Sequence, residues 1–186
     1  WIGANDVFTG AAADIEGLCF GLSFDGKSVI VKMNGGAQYV WAGASGDEWG
    51  GSGRWNDGIG AATWEDGNIA VFDTADAVAI LAADASADEA VFRADATAAA
   101  GRGTLTAFNV AVSNGVTAAF NAPTAGELAK TGAGTLVLSQ DRTDAPTTLA
   151  EGTLALSGTA SLDWSKFTFG TDAAKPVALE VGAGAT

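Results

Sequence analysis

Short runs of alternating apolar and polar residues, separated by glycine-centred breaks, recur along the chain. The clearest pair is Lys130-Thr-Gly-Ala-Gly-Thr-Leu-Val-Leu-Ser139 and Glu151-Gly-Thr-Leu-Ala-Leu-Ser157. In each, a flexible corner precedes a strand with period-two leucines, so Leu136 and Leu138, like Leu154 and Leu156, point to one face. Such a strand stacks on a copy of itself. A recurring corner followed by Thr-Leu-x-Leu therefore predicts an all-β chain folded as a β-solenoid, with apolar ladders inside. Further rungs are predicted at Val110-Ala-Val112, Val116-Thr-Ala-Ala-Phe120, Phe167-Thr-Phe169 and Val177-Ala-Leu-Glu-Val181, with Asn114-Gly115, Gly132-Ala-Gly134, Gly152 and Gly158 as corners. The inward ladder is assigned to Leu136, Leu138, Leu154, Leu156, Phe167 and Phe169, each contributing roughly 1.5–3 kcal/mol on burial.

The alternation is weaker upstream. The alanine-rich stretch Ala75 to Ala100 is compatible with a helical face. Its knots Val78-Ala-Ile-Leu81 and Ala90-Val-Phe92 favour strands, however, separated by a turn-like polar cluster from Asp84 to Asp88. An order of short strands is used twice, with Asp6-Val-Phe8, Leu18-Cys-Phe20 and Gly26–Val31 set against Ala70-Val-Phe72, Ala90-Val-Phe92 and Gly103–Thr106. Either duplication or the sheer abundance of alanine accounts for it. Between these segments, Trp41 to Gly67 holds four of the six tryptophans in a glycine-rich setting that reads as a long loop or a cap. The domain reading is one solenoid over 1–186: first rungs over 1–40, the Trp/Gly-rich loop or cap over 41–68, and further rungs over 69–186, with the repeat motif at 130–156.

Composition adds limits to this picture. Hydrophobic residues make up 48% of the 186, but much of that is alanine, and 26 glycines with 3 prolines indicate many turns. A formal charge of −13 disfavours nucleic acid and anionic membrane as partners. No apolar run is long enough to span a bilayer. The single cysteine, Cys19, lies between Leu18 and Phe20, so it reads as a buried thiol with no internal disulfide. The chain opens on Trp1 in mid-pattern and reads as a segment cut from something longer.

Histidine is absent, which removes the usual general base and the commonest zinc ligand. No catalytic residue, cofactor or metal ligand is assigned. Three candidate chemistries are left. Asp47 and Glu48 beside Trp49, and Asp57 beside Trp55, could serve as paired carboxylates in polysaccharide cleavage. Without catalysis, Trp41, Trp49, Trp55 and Trp64, with Asp47 and Asp57, could form an aromatic platform for a surface glycan. Alternatively the tryptophans fold back to seal an open solenoid end, which physics requires somewhere. Calcium is the one plausible ion, through Asp73 and Asp76, Asp84 with Asp88 and Glu89, or Asp141 and Asp144. None of these matches a known calcium loop, and all serve equally as turn formers.

The phrase at 130–139, a spacer, and Leu149-Ala-Glu-Gly-Thr-Leu-Ala-Leu156 resemble the autotransporter-associated β-strand repeat, also called the passenger-associated transport repeat. The run from Trp55-Asn-Asp-Gly58 to Trp64–Phe72 is similar to the entry of such passengers. This resemblance implies a right-handed parallel β-helix, exported to the surface of a Gram-negative-type bacterium and normally followed by an outer-membrane β-barrel. The chain departs from the pattern in having no barrel segment, and its spacer Gln140–Pro146 lacks the usual Asn-Thr-Tyr-x-Gly phrase. The leading functional expectation is a non-catalytic stalk segment, or a subunit stacking head to tail into fibres. An adhesin or glycan-binding module is the alternative, and a polysaccharide-cleaving enzyme the third reading.

Overall fold

The computed structural model describes residues 36–186 and, before them, the backbone of 20–24 and 29–33. Asp6-Val-Phe8 and Cys19 lie outside the described residues. The chain divides into two compact units, Trp1–Gly35 and Gly36–Thr186. In the first, β1 (Phe20–Phe24) and β2 (Val29–Met33) pair antiparallel, with Phe20 opposite Met33. These strands are a hairpin, not the first solenoid rungs expected over 1–40. Only four residues, Asp25 to Ser28, separate them, and a parallel pair needs a crossover of a dozen or more.

The second unit is a β-solenoid of about 5 turns built on two parallel sheets, and 47% of the structure is strand. It opens with β3 (Gln38–Trp41) and three two-residue strands, β4 (Asp47–Glu48), β5 (Trp55–Asn56) and β6 (Ala61–Ala62). Regular coils follow as β7 (Asn68–Phe72) with β8 (Ala77–Ile80), β9 (Ala85–Phe92) with β10 (Ala96–Ala99), and β11 (Leu105–Val112) with β12 (Thr117–Phe120). The later coils comprise β13 (Thr124–Ala125), β14 (Leu128–Thr131) and β15 (Thr135–Leu138), then β16 (Thr147–Leu149) with β17 (Gly152–Leu156), and β18 (Phe167–Phe169) with β19 (Val177–Val181). One sheet runs β6-β5-β3-β7-β9-β11-β14-β16-β18, with β13 beside β11, and the other runs β4-β8-β10-β12-β15-β17-β19.

The coil length is close to 20 residues, and the register shows it. Ala70 pairs with Ala90, Ala90 with Val110, Val110 with Lys130, Lys130 with Leu149, and Leu149 with Phe169. In the facing sheet Ala118, Leu136, Leu154 and Leu179 form one column, and Phe120, Leu138, Leu156 and Val181 another. The Ala75–Ala100 stretch is strand, because β8, β9 and β10 each alternate buried and partly exposed residues. Asp84–Asp88 is not a turn between two strands, however, since β9 begins at Ala85 and runs through it. Its alanines at 85, 87 and 90 are buried, so pairing with β7 and β11 overrides the turn preference of its polar residues.

Core volume is distributed unevenly. Ala77, Ala79, Ala96 and Ala98 line the first coils of one sheet, and Phe72 and Phe92 fill the space from the other, stacked at 4.9 Å and 4°. Further along, Leu136, Leu138, Leu154 and Leu156 are buried and supply the bulk themselves. Large beside small keeps the interior close-packed along the axis. Phe167 and Phe169 depart from their assignment to the inner ladder. Phe167 is half-buried and Phe169 is 48% exposed, because no strand follows β18 in its sheet to cover them.

The corner glycines also stack. Gly132 has φ +73° and Gly152 has φ +76°. A Cβ at Gly152 would collide with the carbonyl oxygens of Gly132 and Gly134 one coil back. Both the left-handed backbone and the close approach demand glycine there. Among the described residues, no helix is long and apolar enough to cross a membrane.

Candidate functional site

The Trp/Gly-rich segment closes one end of the solenoid. Alternation in β3 turns Tyr39 and Trp41 inward, and the following glycines let the chain double back so that β5 pairs antiparallel with β3, Trp55 opposite Trp41. Trp49, Trp55 and Trp64 then converge on Phe72. Trp49 lies 4.9 Å from Trp55 and 5.2 Å from Trp64, Trp55 lies 4.8 Å from Trp64, and Trp41 lies 6.0 Å from Phe72. Trp55 Nε1 donates to the Trp49 carbonyl at 2.6 Å, and Trp64 Nε1 donates to Asp66 Oδ1 at 3.0 Å. The indole N–H groups of Trp41 and Trp49 are buried with no oxygen or nitrogen partner. Their neighbours are edge-on rings, which offer π faces instead.

This packing corrects the reading of Trp41, Trp49, Trp55 and Trp64 as a glycan platform. Their exposures are 3%, 1%, 0% and 9%, so no ring face is free to stack on a sugar. The end of a solenoid would otherwise expose its whole apolar cross-section, and four indoles cover it.

The carboxylates beside the tryptophans are used locally. Asp47 Oδ2 accepts from the Ala44 amide at 2.8 Å and lies 3.2 Å from Arg54 Nε. Asp57 Oδ1 accepts from the amides of Ile59 and Gly60, both at 2.9 Å. Those two bonds, Gly60 first, hold the Asp57 carboxyl below its ordinary range, the opposite of what a general acid needs. A shallow cleft of about 320 Å³ beside Trp49 and Trp64 is edged by Glu48, Asp66 and Asp84. Asp66 and Asp84 accept the amides of Ser86 and Thr104 in the next coil, each at 2.8 Å.

The calcium candidates do not come together. Among the described residues no group of three or more acidic side chains could hold a metal ion. Glu89 bonds Asn109 at 2.7 Å and Asp141 bonds Ser161 at 2.9 Å, each across one coil. Asp76 takes φ 59°, a left-handed turn position that aspartate tolerates. These acids tie coil to coil.

Two buried cations escape sequence reasoning. Lys130 occupies the inward column between Val110 and Leu149, and its Nζ donates to the carbonyls of Thr131 at 2.9 Å, Gly132 at 2.6 Å and Glu151 at 3.0 Å. Burial pushes its pKa down to about 8, opposed by the Glu151 charge. The lysine of the Lys-Thr-Gly-Ala-Gly phrase thus staples two successive corners. Strand parity gives the signal, since Leu128 and Lys130 share a face. Arg142, in the spacer, donates through Nε to Thr147 Oγ1 at 2.7 Å, through Nη1 to Thr124 Oγ1 at 3.1 Å, and through Nη2 to the Gly126 and Pro146 carbonyls. It holds the corner that the missing Asn-Thr-Tyr-x-Gly phrase left undefined, and burial lowers its pKa.

The opposite end of the solenoid carries the exposed aromatics. Trp164, in the single 3-10 turn Trp164–Lys166, is 51% exposed and lies 5.8 Å from Phe167, which lies 4.9 Å from Phe169. Val181 in β19 is exposed as well. No protein-family model, no curated protein and no solved structure matches this chain.

Proposed function

We propose that this chain is a non-catalytic structural module, a β-helical stalk segment of an exported surface protein similar to autotransporter passengers. The observation that carries this reading is the in-register column from Ala70 to Phe169, unbroken over successive coils. Functional-looking residues are spent on keeping that column continuous: the tryptophans seal an end, the acids bridge coils, and the lysine and arginine staple corners. A fold whose coils contact only their neighbours gains length by adding coils.

The test duplicates one coil, inserting a second copy of 132–151, corner glycine to corner glycine. The longer chain keeps cooperative unfolding, and the distance between spin labels at Ile59→Cys and Val181→Cys, in a Cys19→Ser background, grows by about 4.8 Å, one strand spacing. Unfolding of the enlarged chain, or glycan capture that Trp49→Ala abolishes, overturns the proposal.

A further inference from the structure

The two ends of the solenoid are finished differently. At the capped end both sheets stop in two-residue strands, and one of these, β4, is Asp47–Glu48. Very short edge strands and charges on the edge are the devices by which sheets block further pairing. At the other end the sheets stop in β18, of three residues, and β19, of five, reading Val-Ala-Leu-Glu-Val. Three of the five large apolar side chains exposed among the described residues, Trp164, Phe169 and Val181, lie there.

These side chains end the columns that every earlier coil continues. Leu149 is covered by Phe169, and Leu156 by Val181, while nothing covers Phe169 and Val181. The surface is therefore one half of the coil-to-coil interface that the chain makes repeatedly within itself. Its complement is another β edge presenting apolar side chains. Charge narrows the occupant further. The chain has 9 basic and 22 acidic residues, and two copies repel over most of their surface. From Ala160 to Thr186, however, Lys166 and Lys175 stand against Asp163, Asp172 and Glu180, so this end is nearly neutral.

We infer that a second copy of the chain docks here, open end to open end, about a twofold axis perpendicular to the solenoid. Such an axis reverses the strands, so the edges meet antiparallel, and it leaves both blunt ends outward. The contact is isologous and closes at two. This rests on the reading of the chain as a structural module, and it replaces the head-to-tail fibre with a capped pair. The two fail separately, because a coil-extended chain that stays monomeric defeats only the pairing.

Sedimentation velocity of the 186-residue chain over a hundredfold concentration range tests it. The expected result is a monomer–dimer equilibrium with no larger species. Combined Phe169→Lys and Val181→Lys raises the dimer dissociation constant at least tenfold, and Ile59→Lys at the capped end leaves it unchanged. Hydrogen exchange of the unaltered chain supplies a reading independent of variant folding, with the amides of β18 and β19 gaining protection as concentration rises. Monomers throughout, assemblies beyond two, sensitivity to Ile59→Lys, or no change in β18 and β19 protection overturns the inference.

Discussion

The capped and open ends of the solenoid use the same residue types to opposite effect. Four tryptophans at one end are buried against Phe72, while Trp164 and Phe169 at the other are about half exposed. The cap packs aromatics because glycines at 43, 46, 50, 51 and 53 let the chain fold back over its own end. The last coil has no such return. An aromatic side chain in a solenoid is therefore core or surface according to whether chain lies beyond it, and its own alternation pattern does not decide which.

The sharpest break in that comparison is a charge placed in equivalent columns. Leu154→Asp puts a carboxylate in the buried ladder and costs at least about 4 kcal/mol. Phe169→Asp, one column end away, costs under about 1 kcal/mol in dilute solution, where surface changes are mild. Chemical denaturation followed by circular dichroism reads both, and equal losses would erase the distinction between ladder and open end. Truncating the rings gives the next largest contrast. Trp55→Ala loses about 3–5 kcal/mol, the usual cost of a large cavity, whereas Trp164→Ala loses under about 1 kcal/mol.

Glycine substitutions sharpen the comparison between stacked corners and the cap loop. Gly152→Ala meets carbonyls from the coil beneath as well as an unfavourable φ, so it costs more than the roughly 1–2 kcal/mol of left-handed strain alone. Gly46→Ala, at φ +93° with nothing within 4 Å, loses only the strain. Melting temperatures of the two variants should fall in that order.

The smallest effect belongs to Lys130, whose folded pKa of about 8 lies below its ordinary 10.5. Below pH 8 the amine is protonated in both states and its burial penalty is constant. Between pH 8 and 10.5 the unfolded chain binds more protons, so stability rises with pH, by about 1–3 kcal/mol. Lys130→Met should lose that rise. A variant that keeps it places the titration elsewhere.

Much of the solenoid is legible in the chain, because period-two leucines and corner glycines leave few alternatives for Thr135–Leu138 and Gly152–Leu156. The alanine coils are harder to read, since alanine fits any face, and only pairing with β7 and β11 makes Ala85–Phe92 one strand. The candidate site was legible in position and misread in one of its two forms. Trp41, Trp49, Trp55 and Trp64 do cluster, and the glycine-rich setting allows either a platform or a seal. Arg142 gave no signal, because its donors are matched by groups at 124, 126, 146 and 147 that meet only when coils stack.

By itself the sequence determined what repeats: strand alternation, a coil near 20 residues, and corners where only glycine fits. These are local properties, set by φ, by Cβ and by side-chain parity. The tertiary structure decided what does not repeat, namely which end is sealed, where the buried cations find oxygen, and which aromatic side chains stay in water. Each of these depends on what lies one coil away, a distance of about 20 residues along the chain but one strand spacing in space.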